Sequence, residues 1–254
     1  MANPHVGRFV WYELLTTDPK AAIPFYTGVV GWKTQPYGND YVMWVASHGP
    51  LGGTMPLPAD AKKMGVPPHW MAHVQVADVD AMAAKVLKLD GRVHVPPQDI
   101  PEIGRFAVIA DPQGASLSVF TPKEAMTLHD TEKPGEFCWN ELLTSDQAGG
   151  FRFYRELFGW EKMLDHDMGP MGTYLIYGID GKQLGGMFTM SKDQMPPAWL
   201  YYVQVESLDA SLERAKKSGA KVMNGPMEVP GGARIVQLMD PQGAAIALHE
   251  RAKA

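Results

Sequence analysis

The run Phe9-Val10-Trp11-Tyr12-Glu13-Leu14-Leu15-Thr16 returns 128 residues later as Phe137-Cys138-Trp139-Asn140-Glu141-Leu142-Leu143-Thr144. An internal repeat of this length constrains the fold more than any other feature, because each copy has to be the same structural unit. Further matches follow in the same order: Phe25-Tyr26 with Phe153-Tyr154, Gly31-Trp32 with Gly159-Trp160, Gly52-Gly53 with Gly185-Gly186, and Trp70 with Trp199. Val74-Gln75-Val76 matches Val203-Gln204-Val205, Arg105 matches Arg234, and Asp111-Pro112-Gln113-Gly114 matches Asp240-Pro241-Gln242-Gly243. The chain is a tandem duplication, with modules at 1–121 and 137–254 and a charged, Pro-containing linker at 122–136.

Each copy reads as a strand followed by a helix and further strands, and then the same again. Val10 to Thr16 alternates in β-forming residues. Asp18 before Pro19 is a helix start, with Ala22, Phe25, Tyr26 and Val29 at helical spacing; Phe151, Tyr154 and Phe158 are the expected counterparts. Strands are expected at Tyr41 to Ala46 and Gly53 to Leu57, with counterparts at Tyr174 to Tyr177 and Gly186 to Thr189. The pattern restarts with a strand at Ala72 to Val76. Asp78 then caps a helix that presents Val79, Met82, Val86 and Leu89 and ends at Gly91. Strands Phe106 to Ala110 and Ser116 to Phe120 flank an Asp-Pro-Gln-Gly type I turn. The expected class is α+β: tandem βαβββ modules, four βαβββ units in all, with curved mixed sheets and helices on the outer face.

Composition narrows the function. A formal charge of −5 without a basic run gives nucleic-acid binding little electrostatic support. No stretch of about 18 apolar residues suggests a membrane span. The opening residues lack a signal-peptide pattern, so a cytoplasmic protein is expected. Cys138 is the single cysteine, which excludes an intrachain disulfide and a thiolate-rich zinc site. Oligomeric state is not legible.

The run Glu13-Leu14, Asp18, Phe25-Tyr26, Gly31-Trp32, then Val74 to Asp80, then Asp111-Pro112-Gln113-Gly114 resembles a module of the vicinal oxygen chelate superfamily of glyoxalases, bleomycin-resistance proteins and extradiol dioxygenases. The resemblance covers nearly the whole chain twice, and the Trp-x-Glu-Leu start is similar to a two-module glyoxalase-like subgroup. It implies that each module curls its sheet into a cup. It also implies His, Gln or Glu metal ligands seven residues before each helix-capping Asp and seven after the turn Asp. Those positions hold Trp11, Met71 and Ser118 in the first copy and Trp139, Leu200 and Ala247 in the second. Trp, Met, Leu and Ala do not ligate hard or borderline divalent cations, and Ser does so poorly. The expectation is therefore no metal and no other cofactor, with one divalent metal at a shifted site as the alternative.

Strand alternation places Glu13 beside Trp11, His73 and Gln75 beside Met71, Glu141 beside Trp139, Tyr202 and Gln204 beside Leu200, and His249 beside Ala247, all facing the cup. Glu13 with His73, or Glu141 with His249, forms a candidate acid/base pair or the core of a shifted metal site; the opposing reading makes them structural hydrogen-bonding groups. Trp11, Met71, Gln75, Trp139, Tyr202 and Gln204 are candidate walls for a small-molecule ligand. Arg105 and Arg234 are either an anion clamp or solvated strand edges, and the Gly-Gly pairs mark a bulge or a close strand approach. Three functions stand open: a metal-free binder of an apolar or aromatic metabolite, a lyase, isomerase, hydrolase or hydroxylase/dioxygenase-like enzyme using Glu13 or Glu141 as acid/base, and a metalloenzyme with a shifted site built from Glu13 and His73 or from Glu141 and His249. The first module is the expected site, since it alone combines Glu13 with His73.

Overall fold

The structure, a computed structural model, describes residues 5–126, 131–190 and 196–252; linker residues 127–130 lie outside it. The first repeat contains β1 (Phe9–Thr16), α1 (Pro19–Val29), β2 (Lys33–Tyr37), β3 (Tyr41–Ala46), β4 (Gly49–Pro56), a short α2 (Ala59–Lys63), β5 (His69–Gln75), α3 (Val79–Lys88), β6 (Arg92–Ile100), β7 (Gly104–Ala110) and β8 (Ser116–Pro122). The second contains β9 (Phe137–Thr144), α4 (Gln147–Phe158), β10 (Glu161–Asp167), β11 (Thr173–Ile179), β12 (Lys182–Thr189), β13 (Ala198–Gln204), α5 (Leu208–Lys217), β14 (Lys221–Glu228), β15 (Arg234–Met239) and β16 (Ala245–Glu250). The βαβββ order thus occurs four times. The strands form two eight-stranded sheets, β2-β3-β4-β1-β5-β8-β7-β6 and β10-β11-β12-β9-β13-β16-β15-β14. They are mixed: β1–β4, β5–β8, β9–β12 and β13–β16 pair in parallel, while the hairpin neighbours are antiparallel.

Local chemistry fixes the elements. Asp18 and Asp78 accept the backbone N–H of Ala21 and Ala81, both at 3.0 Å, as N-caps. Each Asp-Pro-Gln-Gly turn closes with a 3.0 Å bond from the Gly N–H to the Asp carbonyl, and one oxygen of the same carboxylate takes further N–H groups of the turn. β1 alternates strictly between buried residues, Val10, Tyr12, Leu14 and Thr16, and half-buried ones, Phe9, Trp11, Glu13 and Leu15. Two helix faces differ in detail from the expected ones. In α3 the buried residues are Val79, Ala83 and Val86, not Met82 and Leu89; in α4 they include Phe153 and Leu157, while Phe151 is only half-buried. A helix stripe broad enough for both sets leaves the crossing angle to choose which residues it buries.

The chain divides into two compact units, each drawing half its strands from either repeat. One comprises Met1–Trp11, Ala72–Leu128 and Trp139–Trp199, the other Tyr12–Met71, His129–Cys138 and Leu200–Ala254. The residues most faithfully repeated build the interior of each. In the first unit the Tyr154 hydroxyl donates to Asp111 at 3.2 Å and accepts from Trp199 Nε1 at 3.2 Å, while Trp160 Nε1 donates to Gly7 O at 2.7 Å. In the second unit Tyr26 donates to Asp240 at 2.9 Å and accepts from Trp70 Nε1 at 2.9 Å, while Trp32 Nε1 donates to Gly135 O at 2.6 Å. Burial and the Asp240 charge push the Tyr26 phenol well above its usual value, and burial raises Asp111 against the pull of its turn hydrogen bonds. A basic side chain also covers the last carbonyls of a neighbouring helix in each unit: Lys85 on Glu156 O, and Arg214 on Gly28 O and Val29 O.

Candidate functional site

Register places the candidate residues in rows. In the second unit, Tyr202 of β13 lies opposite Ala247 of β16, which lies opposite Gln237 of β15; the next row is Gln204, His249 and Ile235. Gln237 Nε2 donates to the Tyr202 hydroxyl at 2.8 Å. Ala247 stands between them, so this bridge crosses the position at which the resemblance implies a His, Gln or Glu ligand. It exists because alanine leaves the space. In the adjacent row His249 Nδ1 lies 2.7 Å from Gln204 Oε1. Burial, with Arg251 nearby, lowers the His249 pKa from its ordinary value.

The corresponding rows of the first repeat lie in the first unit: His73, Ser118 and Val108, then Gln75, Phe120 and Phe106. His73 is buried, with its ring 6.0 Å from Phe120 and 6.5 Å from Phe106. The Ser118 hydroxyl is turned into the sheet and donates to Ala107 O at 3.2 Å. Gln75 is buried, and among the described residues its Oε1 has no hydrogen-bond partner. Repeated strands have thus diverged into an aromatic face in one copy and a hydrogen-bonding face in the other.

The Glu positions lie on β1 and β9. Glu141, buried, accepts the Tyr174 hydroxyl at 2.8 Å, and that hydroxyl accepts Trp139 Nε1 at 2.8 Å. Glu141 pairs in register with Gly186, and Glu13 with Gly53. A Cβ on Gly186 would stand 2.2 Å from the Tyr174 ring, and one on Gly53 2.2 Å from Tyr41. The second glycine of each pair is therefore the seat of a tyrosine. The first allows close strand approach: a Cβ on Gly185 would lie 1.8 Å from Asn140 O, and on Gly52 2.0 Å from Tyr12 O. A β-bulge also begins at the first glycine of each pair: Trp44 pairs with Gly52 but Val45 with Pro50, leaving Leu51 extra, and Tyr177 pairs with Gly185 but Gly178 with Gln183, leaving Leu184 extra. Tyr174 and Gln237 were not singled out from the sequence. The signal for Tyr174 was its repetition as Tyr41 beside a conserved spacing to Gly-Gly; Gln237 has none, since Val108 replaces it in the first copy.

Trp11, Met71 and Glu13 are half-buried, and Leu200 is buried. Arg105 is ion-paired with Asp80 at 2.7 Å and Asp99 at 2.9 Å, and Arg234 with Asp209 at 2.8 Å, so both serve as solvated strand-edge cations. Cys138 donates to Tyr202 O at 3.5 Å, and burial pushes its thiol up to about 12, far from nucleophilic range. A groove of about 510 Å³ in the first unit, against Pro112, Gln113, Leu143, Asp146, Met190 and Pro197, touches none of the predicted site residues.

The donor chemistry does not fit the superfamily metal. Trp139 is committed to Tyr174, Ser118 to the backbone, and Ala247 is bridged over. Among the described residues no three His, Cys, Asp or Glu side chains gather as a metal site.

Comparison with known proteins gives the same architecture. The family model described as "Glyoxalase/Bleomycin resistance protein/Dioxygenase superfamily" matches residues 8–119 and again 137–248. The Mycobacterium tuberculosis protein named "Putative glyoxylase CFP32" is 31% identical over 242 residues, spanning 92% of this chain and 91% of its own. The anthracycline biosynthesis protein DauV of Streptomyces sp. (strain C5) is 29% identical over 261 residues, spanning 96% and 93%. The Mn(II)-bound glyoxalase from Novosphingobium aromaticivorans superposes with a TM-score of 0.66 at 15% identity, over 98% of this chain and 83% of that one, a likeness of fold.

Proposed function

The chain belongs to the Glyoxalase/Bleomycin resistance protein/Dioxygenase superfamily, and we propose that it is a cytoplasmic binder of a small, largely apolar or aromatic metabolite that works without the superfamily's metal. Each repeat, 1–121 and 137–254 about the linker 122–136, would supply one cup. The residues assigned are those of the first repeat: within the first unit His73 would orient a ligand beside Trp11 and Gln75, and within the second unit Glu13 would do so beside Met71. The observation that carries this reading is the loss of donors at the ligand positions, above all the Tyr202–Gln237 bridge across Ala247. The aromatic row about His73 supports an apolar ligand. A relative named for anthracycline biosynthesis agrees with an aromatic one.

The test is a thermal-shift screen of aromatic and carbonyl metabolites, followed by calorimetry of the hits with and without EDTA. Affinity independent of chelator, and weakened in Glu13→Gln with little change in melting temperature, is the expected result. Binding that vanishes with EDTA, or a Glu13→Gln protein that unfolds, would overturn the reading.

A second reading, catalysis, has one observation in its favour. The buried Glu141 carboxylate accepting Tyr174 is an acid/base arrangement on the face of β9. Turnover of any hit, abolished in Glu141→Gln, would establish the lyase- or isomerase-like alternative over simple binding. No nucleic acid, membrane or metal has a part in either reading.

A further inference from the structure

The row beside the Tyr202–Gln237 bridge is arranged to do something the first repeat cannot. Gln204 is buried, and its backbone is fixed on both sides, by Gly135 N–H to Gln204 O at 2.7 Å and by Gln204 N–H to Glu136 O at 2.8 Å. Its amide Nε2 faces Val205 O at 3.5 Å, which turns Oε1 toward His249. A carbonyl oxygen accepts and never donates, so a 2.7 Å contact to it places a proton on His249 Nδ1. With the ring neutral, its lone pair is on Nε2. His249 is half-buried, and the residues preceding it on the same strand face, Ala245 and Ala247, carry only methyl groups. A neutral imidazole with one nitrogen locked and the other presenting a lone pair beside small side chains accepts hydrogen bonds. It offers no charge to an anion.

We propose that the Gln204–His249 pair of the second repeat is a recognition site for a hydroxyl that donates a hydrogen bond, of the phenol or enol class, with Gln204 as the positioning residue that sets the His249 tautomer. This goes beyond the site proposed above, which lies in the first repeat, and rests on the same metal-free small-molecule reading. It differs in locating a specificity element in the second repeat, where the equivalents of Gln204 and His249 in the first repeat are Gln75 and Phe120. The lowered basicity of His249 agrees with a neutral ring at neutral pH.

The test is long-range ¹H–¹⁵N NMR on the full chain with labelled histidine, with the His249 signals assigned by their loss in His249→Gln. The native protein should show His249 protonated on Nδ1. Phenol should shift Nε2 saturably, while anisole, the same ring without the donor, should leave it unmoved. Gln204→Leu should move the proton to Nε2 and weaken phenol roughly 3- to 10-fold, the range of one lost hydrogen bond; Gln204→Glu, which keeps an acceptor, should restore the Nδ1 tautomer. A ring protonated on Nε2 or on both nitrogens would overturn the proposal. So would anisole shifting Nε2 as phenol does, or zinc shifting it where phenol does not. Phenol binding that perturbs other residues but not His249 would end this inference while leaving the metal-free reading standing. Failure of that reading has its own signature, chelator-sensitive binding in the calorimetry.

Discussion

Gln237 and Tyr202 meet through a 2.8 Å hydrogen bond that crosses Ala247, so the last-strand position at which the resemblance implies a His, Gln or Glu ligand lies beneath a side-chain bridge. Placing a carboxylate there should therefore damage the fold before it builds a metal site. Ala247 is fully buried, and Ala247→Glu should cost on the order of 1–3 kcal/mol through overpacking and a displaced hydrogen bond. Urea denaturation checks this; a neutral Ala247→Glu variant whose melting temperature rises with manganese or zinc would contradict it.

Tyr26→Phe and Tyr154→Phe should each be destabilising. Either change strips a buried carboxylate, Asp240 or Asp111, and a buried indole N–H, Trp70 or Trp199, of a partner together. Leaving such groups unsatisfied costs roughly 1–3 kcal/mol each before relaxation. The two variants should lose similar amounts in chemical denaturation, because the two arrangements are repeats of each other. A loss confined to one would show that the duplication is not energetically symmetric.

The helix starts at Asp18 and Asp78 and the Asp-Pro-Gln-Gly turns were legible because capping and turn chemistry is local. β2, β6, β10 and β14 could not be placed the same way. All four are sheet edges; β2 is exposed throughout, and Pro36, Pro96, Pro97 and Pro226 interrupt three of them. At the site, the ligand positions that the family resemblance implies could be located by counting from the capping and turn Asp residues. The groups that occupy the space, Tyr174 over Gly186 and Gln237 over Ala247, could not, because each contact joins strands whose register only the folded sheet sets.

Glycine substitutions separate seats from spacers. Gly186→Ala should push Tyr174 off Glu141 and cost about 1–3 kcal/mol. Gly185→Ala should be worse, since its Cβ meets backbone oxygen and not a movable ring. Gly28→Ala, in α1 with open space around it, should instead stabilise by about 0.4–1 kcal/mol. Melting temperatures of the three variants give the order directly.

The acid limb of stability should report His249 and His69. Both have pKa values lowered from 6.5 by burial, so the unfolded chain binds more protons than the folded one below that pH. Stability should be fully present above pH 6.5 and fall as pH drops through the folded values. His249→Gln should flatten this limb while leaving the slope above pH 7 unchanged. A wild-type protein that gains stability on acidification from 6.5 would reverse the sign.

Elemental analysis of the protein, purified without chelator from medium supplemented with manganese, iron, zinc and nickel, is the most direct measurement of the central claim. A chain whose ligand positions hold Trp11, Met71, Ser118, Trp139, Leu200 and Ala247 should carry far less than one equivalent of any of these metals and keep its ligand affinity. About one metal per chain, lost in Glu13→Ala or Glu141→Ala together with ligand binding, would contradict it.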